Sequence, residues 1–173
     1  MAVLPIKTYG NPCLTRKNDK VKLITPEVIN LINDMIETMY TAKGVGLAAP
    51  QVGVNKQIIV VDVGDVVGKH ELIVLVNPEL LAWEGSEELE EGCLSCPNVS
   101  VKMKRAQRIT LQGINREGEK VIREDSGYQA RALQHELDHL MGKLIVDSVG
   151  FLKKLKLKRK LKKRVKAGIK AEI

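Results

Sequence analysis

Gln134-His135-Glu136-Leu137-Asp138-His139 is the stretch from which the rest of this 173-residue chain can be read. It has the form H-E-x-x-H. Residues four apart lie on one face of a helix, so His135 and His139 can offer both imidazoles to one metal ion. Glu136 follows the first ligand directly, close enough to handle the proton of a water on that metal. The flanks predict a helix: Ala130, Leu133, Leu137 and Leu140 or Met141 recur at helical spacing, with Ser126 available as a cap and Gly142 near the end. Catalytic sites of this kind take a third protein ligand and leave one position open. Downstream of His139 there is no further His, and the only Glu is Glu172 among lysines, so the third ligand is expected upstream.

Cys93-Leu94-Ser95-Cys96 supplies a candidate. Three readings of this C-x-x-C compete. A redox pair expects the motif at a helix start, whereas Pro97 follows the second cysteine directly. A zinc ribbon needs a second such pair, which is missing. The third reading makes Cys93 the missing ligand and Cys96 a core thiol, and it is favoured because it completes a three-ligand site. The acids before it (Glu84, Glu87, Glu88, Glu90, Glu91) read as a solvated run, except that Glu91 lies two residues from the proposed thiolate.

The rest of the chain gives a coarse order of elements. Residues 1–24 read as irregular, with Cys13 a partly buried thiol. Thr25-Pro26-Glu27 is a helix start, and Val28, Leu31, Ile32, Met35, Ile36 and Met39 continue it to about residue 42. Gly44-Val45-Gly46-Leu47-Ala48-Ala49-Pro50-Gln51 is too apolar for a surface loop, and it lacks the third glycine and the Lys-Ser/Thr of a phosphate loop. It reads as a segment lining a ligand, with Gln51 buried; the alternative is a tight packing turn. Gln57–Val63 and Glu71–Val76 read as buried strands, the second ended by Asn77-Pro78. Further strand is expected over 101–114 and 120–123, joined by a turn at Asn115–Gly118. His70 reads as a surface histidine.

Composition narrows the function classes. Hydrophobic residues are 44% and charged residues 28%, ordinary for one globular domain. Aromatics are only 3%, which argues against stacking on nucleic-acid bases. No apolar run approaches the ~18 residues of a membrane span, and an odd count of 3 cysteines does not suggest a disulfide framework, so a reducing cytoplasm is expected. The net charge is +7, but from Lys153 onward eleven basic residues face Glu172 alone, making that tail +10 and leaving −3 for the body.

Gly44–Gln51, Glu91–Ser95 and Gln134–His139 together resemble, in order, the glycine-x-glycine-x-Ala-Ala-Pro-Gln, Glu-Gly-Cys-x-Ser and Gln-His-Glu-x-Asp-His motifs of the peptide deformylase family. The resemblance extends over the chain to about residue 150. It implies an α+β fold in which mixed or antiparallel sheets surround a central metal-binding helix, with a catalytic domain over 1–150 and a basic C-terminal helix or tail over 151–173. It implies that Cys93, His135 and His139 bind a divalent metal, with Fe(II) in vivo and Zn, Ni or Co as alternatives. Glu136 would move the proton, while the Gln51 side-chain amide and the Leu94 N–H would meet the developing oxyanion. Val45, Gly46 and Leu47 with Glu91 and Gly92 would contact the peptide, and Ala132 and Leu133 would neighbour its Met side chain. The implied reaction removes formate from N-formyl-Met nascent peptides, in a bacterial cytoplasm or an organelle of bacterial origin.

Asp138 is expected to be structural, with Arg105 as its partner, and Ser100-Val101-Lys102-Met103 departs from the family's pattern where substrate contacts are expected. The tail is expected to form a basic helix with apolar residues at 152, 155, 161 and 165. Basic helices bind RNA phosphates or acidic membranes, and the resemblance tilts this toward docking on ribosomal RNA. A different H-E-x-x-H peptidase and an RNA-binding protein built on the tail are the rival readings.

Overall fold

The computed structural model describes residues 2–166. Its elements run α1 (Pro26–Thr41), β1 (Gly46–Ala48), β2 (Ile58–Val61), the single turn α2 (Gly64–Val67), β3 (Ile73–Glu84), β4 (Glu87–Gly92), β5 (Ser100–Arg105), β6 (Arg108–Ile114), β7 (Lys120–Ser126), α3 (Gly127–Leu140) and α4 (Phe151–Lys166). Five strands form one antiparallel sheet in the order β1-β2-β3-β6-β7, and β4 and β5 form a separate antiparallel pair. The α+β expectation holds.

Period-two alternation explains how the main sheet is covered. In β2, Ile59 and Val61 enter the core beneath α3 with Ala130 and Leu133, while Ile58 and Val60 enter the core beneath α1 with Ile32, Met35 and Met39. Both faces are buried, hence the unbroken apolar run in the sequence. Burying side chains of this size stabilises by roughly 1.5–3 kcal/mol each before chain entropy is counted. A third core lies under β5, where Val101 and Met103 meet Leu14, Cys96, Ile145 and Leu161.

Several local expectations are corrected. Asn77-Pro78 does not end a strand: β3 runs on to Glu84 through a register shift between Val76 and Glu79. Asn77 takes a left-handed backbone, φ 52°, and its side chain accepts from the Val21 N–H and donates to the Val21 carbonyl, both at 2.8 Å. The bulge therefore ties the amino-terminal segment to the sheet. Thr25 and Ser126 stand at the N-cap positions of α1 and α3, yet neither side chain makes a capping bond. His70 is exposed as expected, but its Nδ1 lies 3.2 Å from buried Asp62, which also accepts from the Tyr40 hydroxyl at 2.7 Å.

The carboxyl end of α3 is finished by the segment read as plain turn material. Asn18, itself buried, donates its side-chain amide to the carbonyls of His139 and Leu140, at 3.2 and 3.0 Å, satisfying acceptors that a helix end leaves free. Gly142 has φ 71° and sits so close to the main chain of Thr15 that a Cβ there would approach it to 2.8 Å.

α4 is basic and helical, but a different set of residues docks it. Leu161 is 1% exposed and Leu157 packs beside it, while Lys154 and Lys158 pair with Asp147. Leu152 and Leu155, expected on the apolar face, are 81% and 40% exposed. Residues 167–173, with Lys170 and Glu172, and the side chain at 165 lie outside the described residues. Among the described residues no helix is long and apolar enough to cross a membrane. Leu161→Ala is expected to lower the unfolding free energy by about 2–4 kcal/mol in urea titrations, and Leu152→Ala by less than about 0.5 kcal/mol.

Candidate metal centre

Two neighbouring elements bring the ligand candidates together. α3 carries His135 and His139 one turn apart, their ring centroids 5.0 Å apart and nearly edge to face. Cys93 follows β4, and its Sγ lies 3.2 Å from His139 Nε2. One donor atom from each of the three residues falls within 4.8 Å of the other two. A sulfur and two imidazoles so close suit a divalent transition metal of intermediate softness. Two polar atoms of the same cluster are buried without a protein partner, Glu136 Oε2 and His139 Nδ1. Such orphans are costly unless something else meets them; Glu136 Oε2 fits a group held at this point, whereas His139 Nδ1 is the ring nitrogen turned away from Cys93.

A buried ion network holds the cluster. Glu91 receives Arg105 in a fork, with Nε at 3.0 Å and Nη2 at 2.9 Å, and receives Arg131 Nη1 at 2.6 Å. Its second oxygen lies 3.1 Å from His135 Nδ1, leaving Nε2 of that ring to face the ligand cluster. Arg105 reaches on to Asp138 at 2.6 Å, as the sequence suggested. Burial alone would raise the Glu91 pKa, but the bonds from His135 and Arg105 outweigh it and hold the carboxyl down at about 2. Glu136 behaves oppositely: burial pushes its pKa up, against the nearby histidines. Cys93 is pulled well below the usual thiol range, chiefly by a hydrogen bond from the Cys96 thiol and further by His139. Cys96, fully buried, is pushed up by that same bond and by burial. The C-x-x-C is therefore split, one sulfur facing the cluster and one in the core, and both are free cysteines.

A cleft of about 580 Å³ opens over the cluster. Val45, Gly46, Gln51, Glu91, Gly92, Cys93, Leu94, Ala132, His135 and Glu136 all line it, so most of the expected site residues converge. Gln51 is buried, accepts from the Ala48 N–H at 2.7 Å and donates to Ser95 Oγ at 3.3 Å, its amide nitrogen 3.9 Å from Cys93 Sγ. The Leu94 N–H finds no protein acceptor among the described residues. Both glycines of the first motif have steric reasons: a Cβ on Gly46 would meet Glu136 Oε1 at 2.5 Å, and one on Gly44 would meet Leu94 at 2.8 Å. Two expected contacts are corrected. Leu47 and Leu133 are fully buried in the two cores and do not line the cleft. Leu47 alternates away from Gly46 along β1, and Leu133, two residues before His135, falls on the far side of α3. Sequence reading missed Lys43, Pro97, Asn98, Tyr128 and Arg131, which also line it. Tyr128 and Arg131 were findable, because they lie seven and four residues before His135 on one helical face.

This α+β fold sets H-E-x-x-H on a helix facing a cysteine-bearing loop, where one sulfur and two imidazoles could hold a metal ion, the donor pattern of a metal-dependent hydrolase. The polypeptide deformylase family model matches residues 3–155, and the chain belongs to that family. It is 51% identical to a peptide deformylase of Halothermothrix orenii over 149 residues, covering 86% of this chain and 95% of that one. It is 46% identical to one of Thermodesulfovibrio yellowstonii over 160 residues, covering 92% and 97%. Among solved structures, a peptide deformylase from Legionella pneumophila superposes with a TM-score of 0.89 at 40% identity, covering 96% of this chain and 98% of the other. One from Ehrlichia chaffeensis, in complex with actinonin, gives 0.90 at 34% identity, covering 95% and 98%.

The Glu91 network yields a stability prediction with a definite sign. A carboxyl held at about 2 when folded, against 4.5 when free, contributes stability that is complete above pH 4.5 and fades as pH falls toward 2. Glu91→Gln leaves two buried guanidinium groups short of an anion and is expected to cost roughly 3–5 kcal/mol at neutral pH. The difference between wild type and variant should shrink steadily between pH 4.5 and 2 in chemical denaturation at each pH.

Proposed function

We propose that this protein removes the formyl group from N-formyl-methionyl peptides, releasing formate and a free amino-terminal Met. The observation that supports this most strongly is the Cys93, His135 and His139 cluster with the unpartnered Glu136 carboxylate beside it. Cys93, His135 and His139 would hold a divalent ion, which when bound supplies Lewis-acid polarisation of the formyl oxygen and acidifies a water. Fe(II) is the ion we favour in vivo, with Zn, Ni and Co as substitutes that suit the same donors.

The chain's own groups do the rest. Glu136, its pKa raised by burial, is matched to take a proton from the attacking water and return it to the departing amine. Gln51 and Leu94 both line the cleft, and the Gln51 amide and the Leu94 N–H would be the donors that meet the negative charge developing on the formyl oxygen. Val45, Gly46 and Gly92 offer main chain to an extended peptide, and Ala132 with its neighbours Tyr128 and Arg131 bounds the space for the Met side chain. Glu91 positions His135 and holds the cleft wall through its arginines.

The division of labour follows the chain: residues 1–150 carry the chemistry, and 151–173 dock the enzyme on ribosomal RNA phosphates, where nascent chains emerge. A bacterial cytoplasm, or an organelle of bacterial origin, is the corresponding setting. Lys156, Arg159 and Lys163 are exposed on the side of α4 opposite buried Leu161, Lys153 is exposed on its flank, and the four form the proposed phosphate-contacting surface. Rival H-E-x-x-H peptidases are disfavoured because the sulfur of Cys93 occupies the third donor position.

Formate release from formyl-Met-Ala-Ser by protein purified anaerobically with Fe(II) or Ni(II) is the deciding measurement. Glu136→Ala is expected to lower kcat/KM by roughly 10²–10⁴ with metal retained. Cys93→Ser should lose bound metal by elemental analysis. Absence of formate from metal-loaded wild type would overturn the reading. For the tail, removing residues 152–173 would also strip Leu161 from a core, so charge is the better probe. Changing Lys153, Lys156, Arg159 and Lys163 to Gln should weaken salt-sensitive ribosome co-sedimentation and leave formyl-peptide hydrolysis in place; undiminished co-sedimentation would sink the docking proposal.

A further inference from the structure

The charged groups lining the cleft are not equally committed. Glu91 and Arg131 neutralise one another within the buried network, and Glu136 and His135 belong to the reaction centre. Lys43 is the remaining charged residue of the lining, and it is exposed, with no ion pair among the described residues. Among the described residues, Glu91 and Glu136 are the only carboxylates in the lining, and both are already committed. Lys160 of α4 reaches the main-chain carbonyl of Asn98, itself a lining residue, at 3.4 Å. A second ammonium group thus lies beside the lining, in addition to that of Lys43.

The backbone makes a lysine at 43 more telling. α1 ends in a Schellman turn, with the Lys43 N–H donating to Tyr40 O and the Gly44 N–H to Met39 O, both at 2.9 Å. Lys43 is the left-handed residue of that turn, at φ 51°, where glycine sits without strain. A long cationic side chain is present where the local fold favours none, and such a departure points to a task outside folding.

Its position suggests the task. β1 pairs only with β2, so its other edge is open along the cleft. Gly46 at the start of β1 packs against Glu136 and therefore marks the reaction centre. An extended peptide added to that edge advances about 3.3 Å per residue. Lys43, three residues before Gly46 and in the lining of the same cleft, stands no more than about 10 Å from Gly46, within side-chain reach of the second or third residue of a substrate laid along that edge. The Ser100 segment, where the resemblance led one to expect substrate contacts, offers no charged group to the cleft.

We propose that Lys43, assisted by Lys160, is a specificity-determining residue that favours formyl-Met peptides with an acidic side chain at the second or third position. This inference rests on the deformylase reading. The test compares C-terminally amidated formyl-Met-Ala-Ser with its Glu and Lys replacements at the second and third positions, as kcat/KM at low and high salt. Amidation removes a terminal carboxylate that would mask the effect. Attraction of one peptide and repulsion of the other should multiply, giving an acid-over-base ratio of roughly 3–10 at low ionic strength in at least one position, the size expected for exposed pairs. Near 1 M salt, where screening acts over about 3 Å, the ratio should approach one. Lys43→Gly, which suits the backbone, should reduce the ratio, and Lys43→Glu should invert it. A wild-type ratio within twofold of unity at low salt, or one that Lys43→Glu leaves unchanged, overturns the inference while formate from the neutral peptide keeps the deformylase reading intact. No formate from the neutral peptide overturns both.

Discussion

The carboxylate of Glu91 is the constraint on which the site depends. It lies at the end of β4, one residue from the loop that carries Cys93, and it meets a guanidinium from β5, a guanidinium from α3 and the imidazole of His135. The donor cluster spans two parts of the fold that share no main-chain ladder. What locks them together at ångström precision is a buried, fully engaged ion network, completed by Arg105 reaching Asp138 three residues beyond His135. Burying these charges is costly, and only the close geometry of the whole set offsets it. The same bond to His135 leaves one ring nitrogen for the cluster, so a single carboxylate both assembles the site and orients it.

Around this network the fold works by exclusion of volume. Gly44 and Gly46 lack side chains because Leu94 and Glu136 occupy the space those side chains would need. Cys96 is drawn into the core as Cys93 turns to the cleft, which makes one sulfur inert and the other a low-pKa donor. Asn18 and Gly142 close the far end of α3, where the helix must stop against the amino-terminal segment. The helix that carries His135 and His139 is thus fixed at its carboxyl end and along one side, while Glu136 is left without a full set of partners. An under-satisfied buried acid is destabilising in itself, and the surrounding packing sustains it.

α4 shows how charge and packing share one short helix. Its inward residues Leu157 and Leu161 complete the third core, Lys154 and Lys158 pair with Asp147, and Lys153, Lys156, Arg159, Lys160, Lys162 and Lys163 are exposed. The basic segment is consequently part of the folded body over the described residues, which keeps its charge at a fixed place relative to the cleft. Lys160 beside Asn98 is one result.

Much was legible in the amino-acid sequence because it depends on local periodicity or on short spacing. The helix of His135 and His139, the doubly buried β2, the start of α1 and the turn at Asn115–Gly118 all follow from patterns within about ten residues. The three motifs were enough to nominate Cys93, His135, His139, Glu136 and Gln51. Tertiary structure decided what local pattern could not. Leu47 lies in the first motif and Leu133 just before the third, but both are on faces turned into the cores, and a face has meaning only once its neighbours are placed. β3 continues through Asn77-Pro78 because Asn77 has Val21 to bond, 56 residues away. α4 docks through Leu157 and Leu161 rather than Leu152 and Leu155, since the surface it meets is built from Leu14, Ile145 and Val146. The sequence by itself determined which side chains are chemically capable of the reaction; which of them meet, and what charge remains free at the entrance, was decided by long-range packing and by the pairing of buried ions.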